Sequence, residues 1–274
     1  MISVTMAYYN RSELLERTLW AYYHLHKDVM SKNDYEFVIV DDGSREDLKA
    51  EIAAEKLKNK LNIEVLYIKR DKVAPNPSIP INISVKHSSG DIVIITNPEV
   101  MPLTPVLAWV QENQTANNWN VCKTYSLSQE QQDFISYLQK EHIDFIKNVR
   151  EEVVLKDEGV EFIPGEGWYD HPYFRVKFYY FLASICKNDF IRIGGIDEDF
   201  ANGIAYEDDD LVRRLNQNGF ELNYMDRQTA LHQFHDSTGG QPGPEWMKNY
   251  ELYYKNLHEK KLVANVDKEW GVIP

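Results

Sequence analysis

The chain is poor in cysteine, in positive charge, in long apolar runs and in glycine-rich phosphate loops. Cys122 and Cys186 are the only cysteines among 274 residues. Two cysteines build neither a disulfide framework nor a CxxC-type zinc site, and a reducing compartment is the natural setting. Lys and Arg number 30 against 43 Asp and Glu, a net charge of −13. Such a surface disfavours DNA, RNA and anionic membranes, and an anionic ligand needs a metal or local Lys/Arg to reverse the field. No run approaches the roughly 20 apolar residues of a membrane span. The opening "MISVTMAYYN" has no signal-peptide pattern. These absences predict a soluble, cytoplasmic protein with no nucleic-acid partner and no direct membrane insertion. GxGxxG and GxxxxGK[ST] are also missing, which removes the dinucleotide and P-loop cradles for phosphate.

The first hundred residues alternate in period. "ISVTMAY", "YEFVIVDDGS", "IEVLYI" and "DIVIIT" read as strands. Between them, "SELLERTLWAYYHL", "REDLKAEIAAEKLKNKL" and "SIPINISVKHSSG" read as helices, the last with Ser78 as N-cap and Gly90 as its stop. Strand–helix alternation, with a continuous apolar fourth strand, predicts a mostly parallel α/β sheet covered on both faces. Beyond "NPEVMP" the rhythm loosens. Helices are expected over 104–116 and 128–156, strands at "NVCKTYS" and "FELNYMD", and a final helix in "EWMKNYELYYKNLHEKK". No linker or internal repeat divides the chain, so a single domain is expected.

Ligands of open α/β sheets bind beyond the carboxyl ends of the strands. Here those ends carry "AYYNR", "DDGS" and "TNPE". Asp41 and Asp42 before Gly43-Ser44 suit an ordinary turn, but beside the other two ends they suggest a nucleotide pocket. A diphosphate without a glycine cradle needs a cation. Glu99 is the obvious carboxylate, with His232 and His235 of "LHQFHDS" as imidazole donors, better tolerated by Mn²⁺ than by Mg²⁺. In "GIAYEDDDLVRRL", Glu207, Asp208, Asp209 and Asp210 precede an amphipathic run. Acids in a first turn suit the helix dipole, which accounts for one or two of them, not four.

Four segments resemble the ordered motifs of GT-A-fold glycosyltransferases: "SVTMAYYNR", "VIVDDGS", "IPINISVKHSSGDIVIITNPEVMP" and "IGGIDEDFANGIAYEDDDLVRRL". They look like the inverting family 2 enzymes and, in the last segment, β-1,4-galactosyltransferases, from residue 2 to about 235. The resemblance implies a Rossmann-like, mostly parallel central sheet flanked by helices. It implies a glycosyltransferase domain over 1–240, its nucleotide half about 1–102 and acceptor half about 103–240, with a helical extension over 241–274. It also implies transfer of a sugar from a nucleotide diphosphate, a UDP-sugar, to a carbohydrate hydroxyl with inversion, as in polysaccharide biosynthesis. Ala7, Tyr9, Asn10, Asp41, Asp42, Asn82 and Asn97 then fall at nucleotide contacts. Asp208 falls on the catalytic base, with Glu207 beside it on an acceptor hydroxyl. Glu99 and His235, with His232 as the alternative, fall on ligands of Mn²⁺ or Mg²⁺. Trp168, Tyr169 and Asp170 of "GEGWYDHP" fall on the acceptor side.

Two positions depart from the family pattern. Ala7-Tyr8 replaces Pro-Thr, and Asn97-Pro98-Glu99 replaces D-x-D, which predicts weak or donor-dependent metal binding. Arg175 and Lys177, and Lys69, Arg70 and Lys72 of "KRDK", are expected on the surface or near the diphosphate. A nucleotidyltransferase predicts a glycine-rich basic loop after the first strand, and "AYYNRSE" is neither. A non-catalytic sugar-binding relative draws support from Asn97 and is opposed by Glu207, Asp208 and His235.

Overall fold

The structure is a computed structural model that describes residues 1–72, 76–140, 167–235 and 243–274. Four parallel strands form first: β1 (Ile2–Tyr8), β2 (Tyr35–Asp42), β3 (Ile63–Ile68) and β4 (Ile92–Thr96). They are linked by α1 (Ser12–His26), α2 (Ala50–Glu55) and α3 (Ser78–His87). The chain continues through β5 (Val100–Pro102), α4 (Val106–Asn113), β6 (Asn118–Ser126) and α5 (Gln129–Lys140). After residue 166 come β7 (Gly167–Asp170), β8 (Leu182–Cys186), α6 (Lys187–Arg192), α7 (Glu207–Gln217), β9 (Glu221–His232) and α8 (Pro244–His258). One sheet of nine described strands results, in the order β3-β2-β1-β4-β8-β6-β9-β5, with β7 added to β6. β8 runs antiparallel to β4 and β6, and β5 antiparallel to β9. No described helix is long and apolar enough to cross a membrane.

The alternation of β1 explains the layering. Ile2, Val4, Met6 and Tyr8 face α1 and α2 in one core with Leu15, Leu19 and Phe37, while Val93 and Ile95 of β4 face Ile81 and Val85 of α3 on the other side. Helix α3 differs from expectation at its start. Ser78 is its first residue, and the cap is the Asn76 side chain, whose Oδ1 accepts from the Ser78 amide at 3.0 Å. Gly90 does not end that helix; a Cβ there would stand 2.6 Å from Ser3 Oγ, so Gly90 lets the chain pass close to β1. Helix α2 is shorter than its charge pattern suggests. Asp41 Oδ2 accepts from the Ala50 amide at 2.9 Å, and Lys49 before it is extended, which fixes where the helix begins. Strand β9 is longer than "FELNYMD", because both β6 and β5 pair with it as far as His232. Of the predicted helix over 128–156, residues 141–156 lie outside the described residues.

Candidate active site

The ends of β1, β2 and β4 converge on one pocket, lined among others by Ala7, Tyr9, Arg11, Asp42, Asn76, Asn97 and Glu99. Four of the seven predicted nucleotide residues therefore meet in it. Asn10 stands beside it in the left-handed region (φ 53°), its amide bonded to Ser44 Oγ and its Oδ1 accepting from the Arg45 amide. Asp41 and Asn82 do not meet the pocket. Asp41 is fully buried and accepts from the Ser44 and Ala50 amides. Asn82 is fully buried as well; its amide donates to the Ile196 carbonyl and Glu198, and its oxygen accepts from the Ile196 amide. Both side chains are spent on structure. Arg70 and Lys72 are not surface cations: Arg70 is bidentate on Asp42 at 3.0 and 2.8 Å, and Lys72 lies 3.0 Å from Asp42 and 3.8 Å from the centre of the Tyr9 ring. Asp42 thus meets the pocket with its charge already balanced.

At the pocket's rim Glu99, His232 and His235 offer one ligand atom each, all within 4.8 Å of one another. Register creates this cluster. β5 pairs antiparallel with β9, placing Val100 opposite His232, and a one-residue slip would turn the imidazole to the other face. Both Nε2 atoms stand 3.8 Å from Glu99 Oε1, too far for hydrogen bonds and close enough to share an ion with ligand bonds of about 2.1 Å. Among the described residues, Glu99 Oε2 is buried and receives no hydrogen bond, and Arg11 Nε lies 3.8 Å from it. Burial lowers the His232 pKa to about 4, so its ring is neutral at pH 7 with a lone pair to give. An orphaned carboxylate oxygen and two imidazoles fit a divalent transition ion, and suit Mn²⁺ better than the oxygen-seeking Mg²⁺.

Helix α7 begins at Glu207 and follows two consecutive left-handed non-glycine residues, Ala205 (φ 63°) and Tyr206 (φ 69°). Such a pair is strained and must be held from outside. Asn249 of α8 holds it, donating to the Phe200 and Ala205 carbonyls at 3.1 and 2.7 Å, while Tyr206 packs among Trp246, Tyr250 and Tyr253. The four acids then divide. Asp210 is fully buried between Arg213 and Arg214, and Arg214 also binds the Ile193 and Gly195 carbonyls. Asp209 accepts from Tyr179 at 2.6 Å. Glu207 accepts from Tyr180 at 3.1 Å and from Asn76 at 3.5 Å. Asp208, half-buried, accepts from the Asp209 amide at 2.8 Å. Burial first, then the charges of Glu207 and Asp209, push its carboxyl well above the usual range. Burial also raises Glu207.

The predicted acceptor residues part company. Trp168 is buried against Tyr125 and His171, and Asp170 is fully buried, accepting from Tyr224 and the Lys177 and Tyr179 amides. Both serve the core. Tyr169 alone remains beside the site, half-buried, stacked on Phe181 and 4.7 Å from the His232 ring. Arg175 donates to the Tyr169 carbonyl. Tyr179 and Tyr180 carry no sequence signal, because they act through acids distant in the chain, and neither does Asn76, which reaches Glu207 only because the fold brings α7 to the start of α3.

Residues 3–121 match the model of the family described as glycosyl transferase family 2. No curated protein matches the chain in sequence. Solved structures match in fold at low identity. S. aureus TarS in complex with UDP matches at 15% identity and TM-score 0.59, over 97% of this chain and 67% of that one. The mannosyltransferase PcManGT from Pyrobaculum calidifontis, in complex with GDP-Man and Mn²⁺, matches at 15% and 0.51, over 95% of this chain and 71% of that one. GalNAc-T7 with UDP, GalNAc and Mn²⁺ matches at 15% and 0.58, over 95% of this chain and 49% of that one. The mixed α/β single-domain fold, a mostly parallel sheet between helices, is consistent with GT-A.

Proposed function

We propose that the protein transfers a sugar from a nucleotide-diphosphate donor, a UDP-sugar, to a carbohydrate hydroxyl with inversion. One observation carries this reading: Glu99 both lines the strand-end pocket and faces His232 and His235. A nucleoside seated against Ala7, Tyr9, Asp42 and Asn97 would direct its diphosphate to that cluster. A divalent ion held by Glu99, His232 and His235 would offset the negative charge that develops on the leaving diphosphate. Asp208 would take the proton of the acceptor hydroxyl as its oxygen bonds to the anomeric carbon and the sugar–phosphate bond breaks. Its raised basicity suits that task. Glu207, fixed by Tyr180 and Asn76, would orient the acceptor hydroxyl. In this reading residues 1–102 bind the donor and 103–240 the acceptor, with α8 of the 241–274 extension holding the Ala205–Tyr206 turn in place.

Asn97 in place of an acid favours one alternative, a nucleotide-sugar-binding protein without turnover. A panel of UDP-, GDP-, CMP- and dTDP-linked donors with Mn²⁺ separates the two. Release of free UDP from a UDP-sugar, abolished in Asp208→Asn, is the expected result. Binding of a donor without release of nucleotide would favour the alternative, and no binding of any donor would overturn both.

A further inference from the structure

A second groove, about 630 Å³ in volume, shares Tyr9 and Arg11 with the nucleoside pocket and is otherwise lined by the start of α1, by α5 and by Phe234-His235. Its walls hold hydrogen-bond donors that no described residue accepts from. Arg17 is only 6% exposed, and no described carboxylate pairs with it. Its Nε donates to Gln233 Oε1 at 2.7 Å, and Gln233 is itself fixed by donating to the Leu14 carbonyl and Thr18 Oγ1. That leaves both Arg17 Nη groups without an acceptor among the described residues. Gln132, 5% exposed, accepts from the Phe234 amide through Oε1, while its buried Nε2 has no partner. The first turn of α1, Ser12 to Leu14, lines the same groove with no side-chain cap.

Arg17 feels the charges of Glu13 and Glu16 on its own helix, but burial outweighs them and lowers its pKa. A buried guanidinium with no directly bonded acid and a buried amide N–H without an acceptor are each unfavourable unless a ligand completes them. The helix start that lines the groove adds partial positive charge. Carboxylates are present too: Glu13 and Asp133 line the groove, but both are exposed, and Asp133 accepts from Gln129. Solvent screens them, whereas the donors are desolvated. In formal charge Arg11 and Arg17 offset Glu13 and Asp133, so the groove lacks the acidic excess of the whole chain, −13.

We infer that this groove is a phosphate-binding site distinct from the nucleoside pocket, built by Arg17, Gln132 and the first turn of α1. The open groove has room for a phosphate carried on a larger molecule. Two sources share that chemistry: the far end of a bound diphosphate, or a phosphate group on a separate molecule. The site does not depend on the transferase reading.

Calorimetric titration of the full chain with inorganic phosphate in EDTA tests it, in wild type, Arg17→Met and Gln132→Glu. The glutamate keeps the oxygen that accepts from Phe234 and places a charge where Nε2 stood. Saturable binding in the wild type, weakened at least tenfold in either folded variant, is the expected result. Repeating the titration with UDP present separates the sources. Phosphate that still binds belongs to a separate molecule, and phosphate displaced by UDP, with UDP affinity falling in both variants, belongs to the diphosphate. No saturable phosphate binding in the wild type, or equal binding in all three proteins, would overturn the inference. A protein that binds phosphate here but no nucleotide would refute the transferase reading alone.

Discussion

Asp208 separates a catalytic role from a capping one. As the base it must be ionised, and its pKa is raised by burial and by Glu207 and Asp209. The acid limb of kcat/KM is therefore expected well above the free aspartate value of about 3.9, and a pH–rate profile locates it. Asp208→Asn should cost about 10²- to 10⁴-fold in turnover. The same change should raise Tm at neutral pH. With a folded pKa above the unfolded one, the folded state holds the extra proton, so stability falls as pH rises between the two values. A neutral isostere removes that loss, and melts at pH 7 and pH 4 should show the gain only at the higher pH. Trp168→Ala makes the opposite test. Trp168 fills the core against Tyr125, so the expected loss is about 3–5 kcal/mol of stability by denaturant titration, with the acceptor KM unchanged. Glu99, the histidines and the acidic run were readable in the sequence because ordinary capping and turns do not use so many such groups. Asp41, Asn82 and Asp170 are buried and bonded to backbone groups, and a polar residue used in that way looks the same in sequence as one left free for a ligand.

Helix α7 owes its aim to what precedes it. A Cβ added at Gly203 would fall 2.2 Å from Asn249 Oδ1, the residue that ties down the Ala205–Tyr206 turn. Gly203→Ala should therefore lower kcat far more than it changes donor KM, and steady-state kinetics on the folded variant measures the split. Asn249→Ala should cost about 1–3 kcal/mol, since it removes the donor that two carbonyls share, and a shift in the denaturation midpoint reports it. Strands β1 to β4 and their helices followed from period alone, because each buries a continuous or alternating apolar face against the helices that flank it in the chain. The second half did not. There β6, β8 and β9 find partners from distant segments, and nothing local in "NVCKTYS" or "FELNYMD" says which strand lies beside them or in which direction.

Across the whole chain, the candidate ion site joins the end of β4 to the end of β9. Mn²⁺ at a hundredfold excess over Kd should add about 2.7 kcal/mol of stability, a rise of several degrees in Tm. His232→Ala and Glu99→Gln should abolish that rise in a thermal melt with and without EDTA. The strand order has a kinetic corollary. β1, β2 and β3 pair in chain order with one crossover helix between neighbours, and β4 returns to the free edge of β1, whereas Glu99 meets His232 only after β9 has inserted between β6 and β5. Closing that loop is the entropically slow part of folding. A refolding chain should therefore regain far-UV dichroism before it regains the ability to bind metal, and the lag between the two signals would time the arrival of β9.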